Sequence, residues 1–183
     1  MSVDLTCHVP GMQQYRNQQL DQFGKDTTGQ VQYTFNQQGF RSWTDYDTSP
    51  TVAFFGCSLV FGIGVAQDKI TTSYFANCHN YGLAGQYDNH DTYQTIKRFT
   101  ASELYCNTPM IVVWHSRDSE NLDQYYDDLK NLHMYHFFCG TPLPHHNCFA
   151  MIKHTDTDVS QTHMGPASHQ FFYKITCALL NQS

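Results

Sequence analysis

The chain has 183 residues, 40 % of them hydrophobic and 15 % aromatic, and a formal net charge of -6. That is the size of one domain with a sizeable core, and the absence of any dense Lys/Arg cluster in the sequence excludes nucleic-acid binding through a basic face. No apolar run approaches the roughly 20 residues of a membrane helix, and the start Met1-Ser2-Val3-Asp4 has neither the basic nor the apolar region of a signal peptide, so the expectation is a soluble, cytoplasmic protein with no membrane partner.

Residues 1–30, rich in Gln, Asn and Thr, read as an irregular N-terminal arm. In 31–49, an edge strand and its connection, Val31, Tyr33 and Phe35 alternate with polar residues before a turn at Asn36-Gln37-Gln38-Gly39, the pattern of an edge strand or hairpin. The α/β core then occupies 50–183, completing a single domain over 1–183. Residues 51–55 form a short, β-branched and aromatic strand that stops at Gly56-Cys57-Ser58. A helix is predicted over 68–78, with Ile70, Tyr74, Phe75 and Cys78 on one side, followed by an extended segment over 77–82. A second helix over 90–105 turns Tyr93, Ile96 and Leu104 inward, and 109–114 is the clearest further strand.

Ser119 caps a helix carrying Leu122, Tyr125, Tyr126 and Leu129 at helical spacing, 134–138 is another strand, and Pro166 opens a last helix to about Leu180. Phe171, Phe172, Ile175, Ala178 and Leu179 are its predicted buried side. Alternating strands and helices imply a mostly parallel sheet between helical layers, an α/β/α sandwich.

Seven cysteines, an odd number without a Cys-x-x-Cys pair, read as buried reduced thiols. Eleven histidines include Pro144-His145-His146-Asn147-Cys148, but no pair has the spacing of a familiar metal motif. No metal and no cofactor are expected.

Three segments carry candidate chemistry. Ser58 follows the first core strand, where open α/β sheets bind their ligands; a serine there serves equally well as a helix cap. Asn80-Tyr81-Gly82-Leu83-Ala84-Gly85 is a glycine turn that can present the Gly85 N–H to a developing negative charge. His163, in a polar loop ahead of Gly165-Pro166, is placed to serve as the base a serine nucleophile needs. His169 reads as a surface or capping residue.

Taken together, Gly56-Cys57-Ser58-Leu59, Asn80-Tyr81-Gly82-Leu83-Ala84-Gly85 and His163 resemble the three blocks of the SGNH (GDSL-type) hydrolases. Asn36-Gln37-Gln38-Gly39-Phe40-Arg41 also resembles an Asn-x-x-Gly-Phe-Arg preface of one branch, found in bacteria and tailed phages. The resemblance implies a flavodoxin-like sandwich and a serine esterase acting without a cofactor on a small-molecule or carbohydrate ester, such as a sugar O-acetyl ester. Ser58 would be the nucleophile and His163 the base, with Ser58 and Gly85 N–H groups forming the oxyanion hole.

The chain departs from the family at two blocks. An asparagine expected after the third strand is replaced by Trp114-His115-Ser116-Arg117-Asp118, which leaves Arg117 or His115 as the side-chain oxyanion donor. Ser160 stands where the family places its acid, so Asp158, Asp156 or no acid at all supports His163. Cys57 replaces the usual aspartate beside the nucleophile. The alternative to an esterase is a binding or structural module of the same fold, carbohydrate-binding and associated with a phage particle, that has lost the chemistry.

Overall fold

The computed structural model describes residues 5–7, 31, 33–84, 89–115, 120–151, 156–157 and 163–181. Among these, β1 (Val52–Gly56), α1 (Ser58–Phe61), β2 (Cys78–Gly82), α2 (Asn89–Thr100), β3 (Met110–His115), α3 (Leu122–Leu129), β4 (Met134–Cys139), β5 (Cys148–Ala150) and α4 (Pro166–Leu180) follow in order. The five strands pair in the order β2-β1-β3-β4-β5, and every pairing is parallel. From β1 the chain goes first to one neighbour and then crosses to the other, so the switch point of this doubly wound order lies between β1 and β3, a crevice at their carboxyl ends.

Side chains alternate across the sheet and divide the core in two. Ala53, Phe55, Met110, Val112, Trp114, Met134 and Phe138 pack with Ile96 and Phe99 of α2 and Leu122, Tyr125 and Leu129 of α3. Val52, Phe54, Ile111, Val113 and Phe137 face the other way, in one cluster with Leu59 and Val60 of α1, with Met164, and with Phe172 of α4. The predicted α/β class with helices flanking a parallel sheet is the observed one.

Local readings differ in four places. The expected helix over 68–78 is two 3-10 turns, Gln67–Lys69 and Thr71–Tyr74, separated by an extended Ile70. Bonds from outside the segment hold it there: the Thr71 N–H donates to His169 Nδ1, and Thr72 Oγ1 accepts from Asn80 Nδ2. The helix expected over 90–105 stops at Thr100, and both the N–H and the hydroxyl of Ser102 close on the Phe99 carbonyl. The hairpin over the preface reduces to one antiparallel bridge, Phe35 with Arg41, around the predicted turn. Strand β5 carries no pattern that the sequence reading used, because three residues are too few to show a period.

Helix α4 has its predicted span but a rotated face. Ser168, His169, Phe172 and Thr176 are buried, whereas Phe171 is 42 % exposed and Ala178 lies outside. His169 is therefore not a surface residue; its Nδ1 meets the Thr71 hydroxyl at 2.9 Å and its carbonyl accepts from the same hydroxyl. None of the seven cysteines, all among the described residues, is in a disulfide; only Cys7 and Cys57 are buried, and Cys106 is exposed. Most of the N-terminal arm lies outside the described residues, although Cys7 N–H donates to the Gln38 carbonyl. No helix of the described residues is long and apolar enough to cross a membrane.

Two buried histidines make this core sensitive to acid. His79 stacks on Tyr46 with ring centroids 3.9 Å apart, and His136 accepts a hydrogen bond from the Trp114 indole at Nδ1. Burial holds each imidazole down at about 4 from an ordinary 6.5, with the charge of His145 adding to the effect at His136. The unfolded chain therefore binds more protons between these values. Stability is fully present above the unfolded value and is lost as the pH falls toward 4, by about 3 kcal/mol for each histidine. The urea midpoint should drop steeply over this window, and a His136→Phe variant should show a shallower drop; a level midpoint from about pH 7 to 4 would contradict the assignment.

Candidate functional site at the carboxyl ends of β1, β3 and β4

The turn that presents Ser58 depends on close backbone approaches. Gly56 has φ +140, and a Cβ there would lie 2.5 Å from the Val113 carbonyl oxygen of β3, so a side chain would push the two strand ends apart. Cys57 is the N-cap of the single turn α1, and Ser58 is its first residue. Cys57 is 1 % exposed in the apolar cluster, whereas Ser58 is half-buried.

Asn80 and Gly82 seat this turn against β2. Asn80 Nδ2 donates to the Val60 carbonyl, and its Oδ1 accepts from the Gly82 N–H at 2.9 Å. A Cβ on Gly82 would lie 2.3 Å from the Phe61 nitrogen and 2.7 Å from the Val60 carbonyl carbon. The first part of the Asn-x-Gly-x-x-Gly block is thus a packing device. Past β2 the Leu83 N–H donates to the Gly56 carbonyl at 2.7 Å, which ties the end of β2 to the strand end just before Cys57 and Ser58. Gly85 itself lies outside the described residues, as do Arg117 and Asp158.

The preface closes the site from behind. Asn36 builds its turn by accepting from the Phe40 N–H, and Gly39 has φ +84. Arg41 is fully buried. Its guanidinium donates to the carbonyls of Phe61, Gly62 and Val65 and, at 2.7 Å, to Gln67 Oε1, and it lies over the Tyr33 ring at 4.5 Å. Four acceptors from residues 61–67 thereby fix the loop that leaves α1. The sequence marked Arg41 as part of a motif but held no sign of this role, because the acceptors named here are three backbone carbonyls and one amide.

At the other end of the site, His163 is half-buried, and Met164 beside it packs in the same apolar cluster as Cys57 and Leu59, the two neighbours of Ser58. Thr157 and Met164 form a bridge, and a Cβ on Gly165 would lie 2.3 Å from the Thr157 oxygen. Asp156 is committed to the start of α4: Oδ1 accepts from the Ser168 N–H at 2.7 Å and from its hydroxyl at 2.6 Å, and Oδ2 accepts from the Ala167 N–H at 2.8 Å. Desolvation raises its carboxyl, but the Ser168 and Ala167 hydrogen bonds outweigh it and hold the group below its ordinary value. Of the two aspartates considered for orienting His163, this one caps a helix.

His115 was a candidate oxyanion donor. It ends β3, where its backbone is gripped by Asn89, which donates to the His115 carbonyl and accepts from its N–H. Its side chain joins Cys57 and Cys139, with one ligand-type atom from each residue and all three within 4.8 Å of one another. Two clefts of about 230 and 180 Å³ lie elsewhere, one lined by Leu5, Thr6 and α2, the other by Trp43 and the amino end of β2.

Comparison of the chain with protein-family models, with curated proteins and with solved structures gave no significant match.

Two substitutions probe the scaffold. Gly82→Ala should lower stability by about 3 kcal/mol, since the atoms it meets are backbone and cannot swing aside. Arg41→Lys keeps the charge but cannot reach four acceptors, and should cost about 2 to 4 kcal/mol while exposing the 61–67 loop to limited proteolysis. Thermal unfolding of both variants checks these values; wild-type stability in Arg41→Lys would show that the fork geometry is unimportant.

Proposed function

We propose that the chain is a serine acyl hydrolase that cleaves a carboxylic ester, with Ser58 as nucleophile and His163 as base. The observation that carries this reading is the seating of Ser58 at the sheet's switch point, with the residue next to His163 in the same apolar cluster as both neighbours of Ser58. A ligand entering the crevice at the carboxyl ends of β1 and β3 meets that serine first.

In the proposed reaction the Ser58 oxygen attacks the acyl carbon as His163 takes its proton. The carbonyl oxygen, now negative, accepts hydrogen bonds from the Ser58 and Gly85 N–H groups. The ester C–O bond then breaks, His163 returns the proton to the departing alcohol, and water repeats the sequence to release the acid and regenerate Ser58. With Asp156 occupied by α4, the reading takes His163 and Ser58 as a dyad. The finer substrate assignment, a sugar O-acetyl ester, follows from the family resemblance alone.

One observation favours a carbohydrate-binding module instead. Trp43 is 63 % exposed at the rim of the cleft near the amino end of β2, and an exposed indole is a face on which a sugar ring can stack. Ser58 is not among the residues that line that cleft, and such binding does not require its hydroxyl.

A fluorophosphonate probe separates the two readings: it should modify Ser58 in the wild type and leave Ser58→Ala unlabelled. His163→Gln should lower ester kcat/KM by about 10³-fold or more, and activity should decline on the acid side between about pH 8 and 5 as the base protonates. Under the dyad reading Asp158→Asn stays within a few-fold of wild type and Ser160→Asp raises the rate; a loss of orders of magnitude in Asp158→Asn would install Asp158 as the orienting acid. Absence of labelling together with a flat pH profile would remove the hydrolase reading.

A further inference from the structure

The carboxyl ends of three adjacent strands bring two thiols and an imidazole together in a way that the proposed chemistry does not use. His115 and Cys139 are register partners at the ends of β3 and β4. By the two-residue alternation of strands, both point to the face that carries Val113 and Phe137. Cys57 follows β1 directly and belongs to the same apolar cluster. The ligand atoms of the three residues all lie within 4.8 Å of one another.

Bond lengths to zinc of about 2.3 Å for sulfur and 2.0 Å for nitrogen place the corners of a tetrahedral site roughly 3.5 to 3.8 Å apart. The three groups therefore need to draw in by about 1.3 Å at most, which is the scale of a side-chain adjustment. We propose that Cys57, His115 and Cys139 form a binding site for a soft or borderline divalent cation, zinc foremost, with the fourth coordination position left to water.

Several features favour a metal over the other uses of such a cluster. Cys57 is 1 % exposed, which suits a ligand and denies an ester access to a cysteine nucleophile. Burial raises the Cys57 thiol, yet hydrogen bonds with Cys139 and His115 and the charge on His115 outweigh it and hold it well below its ordinary value, toward the thiolate that zinc binds. Cys139 and His115 are half-buried, not fully enclosed like Cys57, so an ion can enter from their side and keep a solvent position. The Asn89 side chain fixes the His115 backbone, a rigid placement of the kind that metal ligands need. The ligand set, two sulfurs and one imidazole, excludes magnesium and calcium, which take oxygen. The site is independent of the hydrolase reading, since Ser58 supplies no ligand atom.

The test uses the full reduced chain and cobalt(II) as a spectroscopic stand-in for zinc. One equivalent of cobalt should produce a thiolate charge-transfer band in the near ultraviolet together with the intense ligand-field bands of tetrahedral coordination, and zinc should displace it. Cys139→Ser and His115→Gln should each weaken zinc binding by more than about 100-fold, since even the loss of a group behind a ligand costs 10- to 100-fold. Cys106→Ser, at an exposed thiol elsewhere, should leave it unchanged. Thermal melts of the metal-free variants that match the metal-free wild type exclude misfolding as the cause. The proposal is overturned if the wild type gives no tetrahedral cobalt spectrum, if the spectrum survives both ligand substitutions, or if the reduced protein binds no metal while the oxidised one holds a Cys57–Cys139 disulfide.

Discussion

The guanidinium of Arg41 is a full charge with no solvent around it, and a buried charge is tolerated only when its donors are satisfied. Here the satisfaction comes from carbonyls of Phe61, Gly62 and Val65 and from the Gln67 amide. The arrangement works in both directions. The cation needs those acceptors, and its donors in turn hold the loop that leaves α1 in place. The Ser58 turn rests on that loop, so the geometry of the site depends on a residue in a segment that is not part of the sheet.

The same segment protects the sheet. β2 is an edge strand, and its Asn80 N–H and carbonyl both bond the Tyr46 hydroxyl. That occupies backbone groups which an open edge would offer to another chain. Phe40 and Tyr46 also pack with Tyr81, so the turn built by Asn36 is joined to the core by aromatic contact as well as by the Arg41 fork. The preface thus acts as a brace across the amino-terminal half of the sheet, and its residues are explained by packing and satisfaction of polar groups without reference to catalysis.

At the carboxyl ends of the strands, polar groups divide by burial. Ser58 and His163 are half-buried, whereas the Cys57 thiol turns into the apolar layer. A thiol and a hydroxyl on consecutive residues are thereby given different surroundings, as the proposed cation site and the proposed nucleophile would each require. Asp156 belongs to neither, because the N–H groups at the start of α4 take both of its oxygens.

Much of the architecture was legible from local pattern. The apolar runs before Gly56 and through Trp114, the spacing of Leu122, Tyr125, Tyr126 and Leu129, and Pro166 at a helix start each report a period or a backbone preference that neighbouring residues alone decide, and the strands and helices they predict are present. The segment from 68 to 78 was misread because Thr71 and Thr72 bond residues distant in sequence. The buried face of α4 was misread because Ser168 and His169 find polar partners inside, which hydrophobic spacing cannot register.

The sequence by itself determined the α/β class, the position of Ser58 after the first core strand and the turn residues around it, since strand period, glycine and proline act through local sterics. Only the tertiary structure decided the strand order, the role of Arg41 and the meeting of Cys57, His115 and Cys139. Those depend on which strand ends become neighbours, and residues 57, 115 and 139 are too far apart along the chain for any spacing rule to join them. Their proximity is a consequence of parallel pairing, which aligns the carboxyl ends of β1, β3 and β4 at one edge of the sheet.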